Sequence, residues 1–344
     1  MKDGVDSRQN LQIHESTGDV AMRILFLRRK GEDYVGAPSA YHAFEQAVSK
    51  IASVKWAGEG WPLYLANEPM RLTVKRVMPD AHWVIDEDSR FVLPVDHDYK
   101  VGYMASDLHG KSSFGIGNPH GFVNLLNDTG YDAVFLKYIE VHGTNDCPHI
   151  FTEQLKAKPF FLPWSVDPEK FYPREKTLDA MFIGAHGRRY PIRNVLWGGL
   201  PSVCEEHRFT YDMRSNPPGK TFERHIPALK KMGYFVGDKY HEALGSTRIL
   251  LFGCSEFLYP LQKYFEGMAS GALVMANEPA NAEELHFEDG VNYVDISVYN
   301  WKKKLIYYAK HREEAEEIAA RGRETILKHH THDIRARDFI EMIS

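Results

Sequence analysis

Residues 248–295, RILLFGCSEFLYPLQKYFEGMASGALVMANEPANAEELHFEDGVNYVDI, constrain the fold more than any other stretch, because few arrangements other than strand, helix and strand satisfy them. The apolar run 249–252 has the length of a buried strand and ends in a loop. Pro260 opens a helical segment and Gly271 closes it, each where its backbone preferences suit the helix terminus, and residues 272–276 resume as a strand. In such a β-α-β unit the two strands run parallel, and parallel sheets need helices on both faces. Within the helix Leu261, Tyr264, Phe265 and Met268 recur at helical spacing and form one apolar face that must pack on the sheet. Glu266 falls off that stripe, on the side of Gln262. A helix glutamate so placed is ordinarily solvated. Ligands of parallel sheets, however, bind beyond the carboxyl ends of the strands, and a carboxylate there can accept two hydrogen bonds from a vicinal diol.

Residues 265–274, FEGMASGALV, resemble the F-E-A-x-A-x-G-x-x-V segment of retaining GT-B glycosyltransferases of family 4. A second signature, Ile318-Ala319-Ala320-Arg321-Gly322-Arg323 followed by His330-Thr331-His332 and Arg335, is similar to that of the CgeB-like, spore-maturation-protein branch. The resemblance implies an α/β chain of GT-B type: two Rossmann-like domains facing across a cleft, with a C-terminal helix crossing back to the first domain. It also implies that Glu266 holds the ribose hydroxyls of a nucleotide sugar, and that no metal or other cofactor is required beyond that co-substrate. One departure stands out. The wider family has a second glutamate eight positions before the first, where this chain has Leu258, and Glu256 lies two residues too early to replace it.

A chain of 344 residues exceeds the size at which one core stops growing, so two domains are expected. The boundary falls in 160–171, FFLPWSVDPEKF, which is similar to the L-P-x-x-V-D-P-x-x-F passage between GT-B domains; Pro163, Pro168 and Pro173 suit a stiff connector. The expected division is a mobile arm over 1–20, an acceptor domain over 21–165, a nucleotide-sugar domain over 166–330 and a returning helix over 331–344. A net charge of −5 gives no global attraction to nucleic acid or an anionic membrane. Three scattered cysteines argue against a disulfide framework, and His142, Cys147 and His149 lack the partner pair a structural zinc needs. The first 20 residues carry no hydrophobic signal core. A cytoplasmic protein with no membrane partner is expected, and a homodimer remains open.

From the amino end, residues 23–27 read as a strand, 28–37 as a charged, glycine-bearing loop and 38–49 as a helix, the opening of a Rossmann-like domain without a dinucleotide fingerprint. By resemblance the loop 31–36 touches the acceptor. Residues 82–90 end in Asp86-Glu87-Asp88, which imitates a metal-binding D-x-D element, although such triplets are common in turns. The strand 99–105 leads into Asp107 and His109, placed either to hydrogen-bond the transferred sugar or acceptor, or to cap a helix and face solvent. Residues 110–121 are too loose for a phosphate loop, and 131–136 is a further strand.

In the second half, 178–183 is a strand followed by Gly184-Ala185-His186-Gly187-Arg188-Arg189-Tyr190-Pro191-Ile192-Arg193. Two glycines, a helix start at Pro191 and several arginines make a diphosphate cradle, with Arg188 and Arg193 favoured over Arg189; a basic surface loop is the rival account. Lys263 is the other cation for the phosphates, or a solvated lysine. Gln262 and Tyr259 border the same site. Residues 200–219 read as a connecting excursion, 234–237 as a strand, and 301–310, 312–330 and 333–343 as helices. The expected reaction is transfer of a hexose or pentose from a nucleoside diphosphate, UDP favoured, with retention of configuration. Asp107, His109, Arg188 and Lys263 are the catalytic candidates; Gly184, Arg188, Arg193, Tyr259, Gln262 and Glu266 are the donor-binding ones. The acceptor is a glycan, a protein or a modified nucleic acid. A non-catalytic binder of nucleotide or glycan, and a transferase acting on hydroxymethylated bases in DNA, are the alternatives.

Overall fold

The computed structural model describes residues 21–30, 37–87, 98–105, 108, 119–140, 149–215 and 225–344. Two separate parallel sheets organise them. The first contains β1 (Arg23–Leu27), β2 (Ser53–Ala57), β3 (Trp83–Asp86), β4 (Lys100–Ala105), β5 (Ala133–Leu136) and β6 (Lys158–Phe161), in the order β2-β1-β3-β4-β5-β6. Its helices are α1 (Ala37–Val48), α2 (Met70–Val77), α3 (Pro119–Thr129) and the short α4 (Ile150–Glu153). The second contains β7 (Leu178–Ile183), β8 (Tyr211–Arg214), β9 (Thr247–Leu251), β10 (Leu273–Ala276) and β11 (Val294–Asp295), in the order β11-β10-β9-β7-β8. Around it lie α5 (Pro191–His207), α6 (Ile226–Lys231), α7 (Asp238–Gly245), α8 (Gln262–Ala269), α9 (Trp301–Lys310) and α10 (Arg312–His329). The last helix, α11 (His332–Ile343), returns to the first sheet.

Both sheets are buried on both faces, which is why their strands read as nearly unbroken apolar runs. Along β1, Leu25 and Leu27 join the core under α2 and α3, while Ile24 and Phe26 point to the opposite core under α1 and α11. In the second sheet Leu250 and Phe252 meet Tyr264, Phe265 and Met268 of α8. Ile249 and Leu251 face Leu196 and Leu200 of α5 and Trp301 of α9. Phe339 packs among Phe26, Phe44 and Phe135, and Trp83 Nε1 donates to the carbonyl of Ile343 at 3.0 Å. The C-terminal helix thus completes the core of the first sheet.

The two sheets present their carboxyl edges to one another. The Tyr138 ring, just beyond β5, lies 4.6 Å from that of Tyr259, beyond β9. The amides of Ile139 and Glu140 donate to Asn281 Oδ1, beyond β10, at 2.9 and 3.3 Å. Functional groups at strand ends of both sheets therefore border one cleft.

Three expectations are corrected. Residues 234–237 are not a strand: Gly233 (φ 86°) and Gly237 (φ 56°) are both left-handed, and the chain between them turns from α6 into α7. Of the stretch 200–219, residues 200–207 belong to α5 and 211–214 to β8, not to an irregular excursion, and 216–219 lie outside the described residues; Pro201 lies inside α5 and conceals the helix from a reading of breakers. Pro260 precedes α8 by two residues instead of occupying its first turn, and Leu261 is the N-cap. The sequence reading offered no element between 50 and 81, where β2 is an edge strand with an exposed-to-half-buried pattern and α2 has only eight residues.

Candidate active site

Two strand-to-helix loops of the second sheet, after β7 and after β9, meet at its carboxyl edge. Gly184 follows β7 with φ 144°, a conformation that favours glycine. A Cβ built there would lie 3.3 Å from Arg193 Nη1 and 3.7 Å from both Cε and Nζ of Lys263. One glycine thus leaves open the space on which two cations from different helices converge. Arg193, in the first turn of α5, is only 4% exposed. Its Nε donates to the Gly253 carbonyl at 2.6 Å, its Nη1 to that of Ala185 at 2.9 Å, and the Tyr190 ring lies 4.1 Å from its guanidinium carbon. These contacts fix the guanidinium and leave Nη2 without a protein partner among the described residues. Reciprocal bonds between Asn194 and Gly187, both 2.9 Å, brace the loop.

Lys263 stands in the first turn of α8, half-buried, with no hydrogen bond or ion pair among the described residues. Burial, followed by the Arg193 charge, pulls its ammonium down to about 8, against the opposing pull of Glu266. Two amino-terminal helix turns and two cations make this corner an anion site.

One helical turn on, Glu266 is fully buried. The Tyr240 hydroxyl of α7 donates to its Oε2 at 2.5 Å, while Oε1 has no partner among the described residues. Burial pushes the carboxyl up to about 7, against the smaller effects of Tyr240 and Lys263. A buried acceptor without a donor is costly, about 1–3 kcal/mol, and a ligand hydroxyl would relieve it. The solvated-glutamate reading is therefore replaced: α7 brings Tyr240 over Glu266 and excludes solvent from it. Tyr240 was missed from sequence, where it looks like any apolar-face tyrosine 26 residues from its partner.

The remaining candidates are dispersed. Arg188 is exposed and makes no bond among the described residues, and Arg189 reaches Glu256 at 3.8 Å and the Phe257 ring at 5.0 Å. Gln262 is half-buried at the start of α8. Tyr259 turns its ring to Tyr138 of the first domain. Leu258, where the resemblance places a glutamate, has a left-handed φ of 56°. Asp107, His109, Asp88 and the loop 31–36 lie outside the described residues, as do His142 and Cys147. The Asp86 carboxylate accepts from Tyr131 at 2.7 Å, and Glu87 pairs with Arg28 at 3.5 Å, so both members of the acidic triplet within the described residues have protein partners.

Residues 176–341 match a family described as glycosyl transferase-like, and this match contains every member of the converging cluster. Over these residues the chain is similar to glycosyltransferases. Solved structures of similar fold extend the likeness to both domains. HepE from Anabaena in complex with UDP-glucose shares 12% identity at a TM-score of 0.66, covering 94% of this chain and 99% of that one. Sucrose-phosphate synthase from Thermosynechococcus elongatus shares 12% identity at 0.65, covering 93% and 98%. A glycosyltransferase from Rickettsia africae shares 11% at 0.61, covering 94% and 98%. None of the curated proteins matches this chain in sequence. At these identities the structural likeness is one of fold, and the fold is GT-B. Within the matched residues the anion corner joins the loops after β7 and β9, and the orphaned carboxylate lies on α8 beside it.

Proposed function

We propose that the protein transfers a sugar from a nucleoside diphosphate, UDP favoured, to an acceptor held by the first domain, with retention of configuration. The observation that carries this reading is the convergence of Arg193 and Lys263 over Gly184, one helical turn from the unpartnered oxygen of Glu266. The spacing suits a diphosphate beside a ribose. Arg193 and Lys263 would take the phosphate oxygens, and Glu266 Oε1 would accept from a ribose hydroxyl. HepE from Anabaena, which shares the fold, has been crystallised with UDP and with UDP-glucose, which supports uridine as the base.

In the reaction the bond from the sugar anomeric carbon to the diphosphate oxygen breaks, and its electron pair leaves with the diphosphate. The acceptor oxygen forms the new bond on the same face, and its proton passes to the departing phosphate oxygen. The two cations stabilise charge growing on the leaving group in a site from which domain closure expels water. Asp107 and His109 are assigned to the acceptor side, and Arg188 to the rim of the phosphate site.

Leu258, at the position of a family glutamate, favours a second reading, a binder of nucleotide sugar without transfer. Thermal unfolding with UDP, GDP, ADP and dTDP, with and without magnesium, on wild type and Glu266→Gln, tests the donor site. A nucleotide at 100 times its Kd should stabilise the wild type by about 2.7 kcal/mol. The expected result is stabilisation by UDP without metal, much reduced in the variant. Stabilisation that requires magnesium and ignores Glu266 would move the site elsewhere. Release of sugar or product from UDP-sugars by the purified protein separates the enzyme from the binder.

A further inference from the structure

At the amino edge of the second sheet, away from the anion corner, a cavity of about 240 Å³ lies between the strands and helices α9 and α10. Asp179 and Ile249 place it at the starts of β7 and β9, whereas Gly184 follows the end of β7. The six residues of β7 separate the two places by roughly 20 Å. Short side chains leave the space: Ala309 of α9 and Ala315 and Ala319 of α10 are buried opposite Ile249, and Pro173 and Tyr308 complete an apolar wall. The stretch 318–323, which the anion corner does not use, contributes Ala319, Ala320 and Arg323 to this lining. An apolar wall with a few converging charges is the usual lining of a small-molecule site.

The charges indicate which molecule. Four cations and two acids line the cavity. Asp179 is held by Arg312 at 3.3 Å and by the amide and hydroxyl of Thr210, both at 2.9 Å, and Glu316 accepts from Arg248 at 2.7 Å. Lys176 places its ammonium on the carbonyls of Gly245, Thr247 and Ser270 at 2.9, 2.9 and 3.2 Å. Arg323 is left. Its Nη1 donates to the Ala269 carbonyl at the end of α8, and it enters no ion pair among the described residues. Burial lowers its pKa with no acid among the described residues opposing the shift. The lining thus carries two positive charges more than its acids neutralise, on a protein whose total charge is −5.

We infer that this cavity binds a small apolar carboxylate, an aryl or alkyl acid, with its hydrocarbon against the alanines and Ile249 and its carboxylate on the remaining donors of Arg323. An apolar cavity of roughly 150 Å³ already holds benzene, so one or two rings and a carboxylate suit the space here. A sugar phosphate or nucleotide suits it less, because its hydroxyls would find no partners along the apolar wall. The site is separate from the anion corner, and its occupation does not depend on the transfer reading.

Isothermal titration calorimetry of the full chain with naphthoate, and with the uncharged naphthylmethanol, tests the inference. Naphthoate should bind at one site, and the alcohol roughly ten- to a hundredfold more weakly for want of a charge-assisted hydrogen bond. Arg323→Gln should abolish that preference. Ala320→Leu, at an exposed position of the lining, should weaken both ligands by filling the space. Unchanged thermal unfolding would show that the variants fold; were Arg323→Gln to fail, Ala320→Leu and the pair of ligands still read the same cavity. Lys263→Met should bind naphthoate as wild type does. No binding of naphthoate at millimolar concentration, or binding that neither cavity variant changes, would overturn the inference. So would loss of naphthoate in Lys263→Met, which would place the carboxylate at the anion corner.

Discussion

Lys263 and Glu266 lie one turn apart on α8 and titrate towards each other, the ammonium pulled down by burial and the carboxyl pushed up by it. Neither has the partner that would compensate its burial in full: the ammonium has no acceptor among the described residues, and Oε1 has no donor. Both demands are met at once by a ligand with phosphate oxygens and a vicinal diol. If Lys263 stabilises the departing diphosphate, Lys263→Met should lower kcat for donor turnover by about 10²- to 10³-fold, the usual cost of one lost electrostatic donor. An unchanged kcat with a raised KM would confine Lys263 to ground-state binding. Arg193 is a poorer first target, because its removal strands the carbonyls of Gly253 and Ala185 and mixes stability with binding.

The junction of α10 and α11 is built on two neutral histidines. Arg335 Nη2 donates to His330 Nδ1 at 2.9 Å, which leaves Nε2 to donate to the Leu285 carbonyl at 2.9 Å. His332 Nδ1 bonds the Ser165 hydroxyl at 2.8 Å. Burial first, then nearby cations, lowers both imidazoles to about 3. A group whose folded pKa lies below its unfolded value stabilises the fold above the unfolded pKa, and that contribution disappears as pH falls. Stability should therefore decline between pH 6.5 and pH 3, on the order of 3 kcal/mol per histidine by pH 4. Melting curves over that range should show a smaller decline for His332→Asn. An equal decline in wild type and variant would mean that His332 does not carry the effect.

Across the whole molecule, the two domains are joined by more than the connector. Val166 donates to the His330 carbonyl at 3.0 Å and accepts from His332 at 3.0 Å, so the two chain crossings lie side by side. On the cleft side Asn281 holds the amides of Ile139 and Glu140 from a left-handed position, φ 61°. Asn281→Ala removes the acceptor and puts alanine where its Cβ is disfavoured; Asn281→Asp keeps the oxygen and the backbone tolerance, and pairing it with Glu284→Gln avoids setting a carboxylate against Glu284, which accepts from Asn281 Nδ2 at 3.3 Å. The alanine variant should hydrolyse more donor per transfer event, because a looser cleft admits water, and the Asn281→Asp/Glu284→Gln variant should behave as wild type. An unchanged ratio of hydrolysis to transfer in Asn281→Ala would show that this contact does not govern closure.

The division between what was legible and what was not follows range. Strands β1 and β7 and helix α9 have the bounds read from sequence, because apolar runs and helical periods are local signals that burial on both faces leaves intact. The glycine turn and the cations at Gly184, Arg193 and Lys263 were also visible one by one, as residue types at strand ends. Which arginine turns inward was not: Arg188 stands in the loop five residues before Arg193 of α5, and only the carbonyls of Gly253 and Ala185 draw Arg193 into the site. The burial of Glu266 was equally hidden, since α7 and Tyr240 close over it from elsewhere in the chain. Local pattern by itself determined the β-α-β repeats and hence the parallel sheets. The tertiary structure decided which polar groups lost water and which partner compensated each, because desolvation depends on neighbours that sequence spacing does not specify.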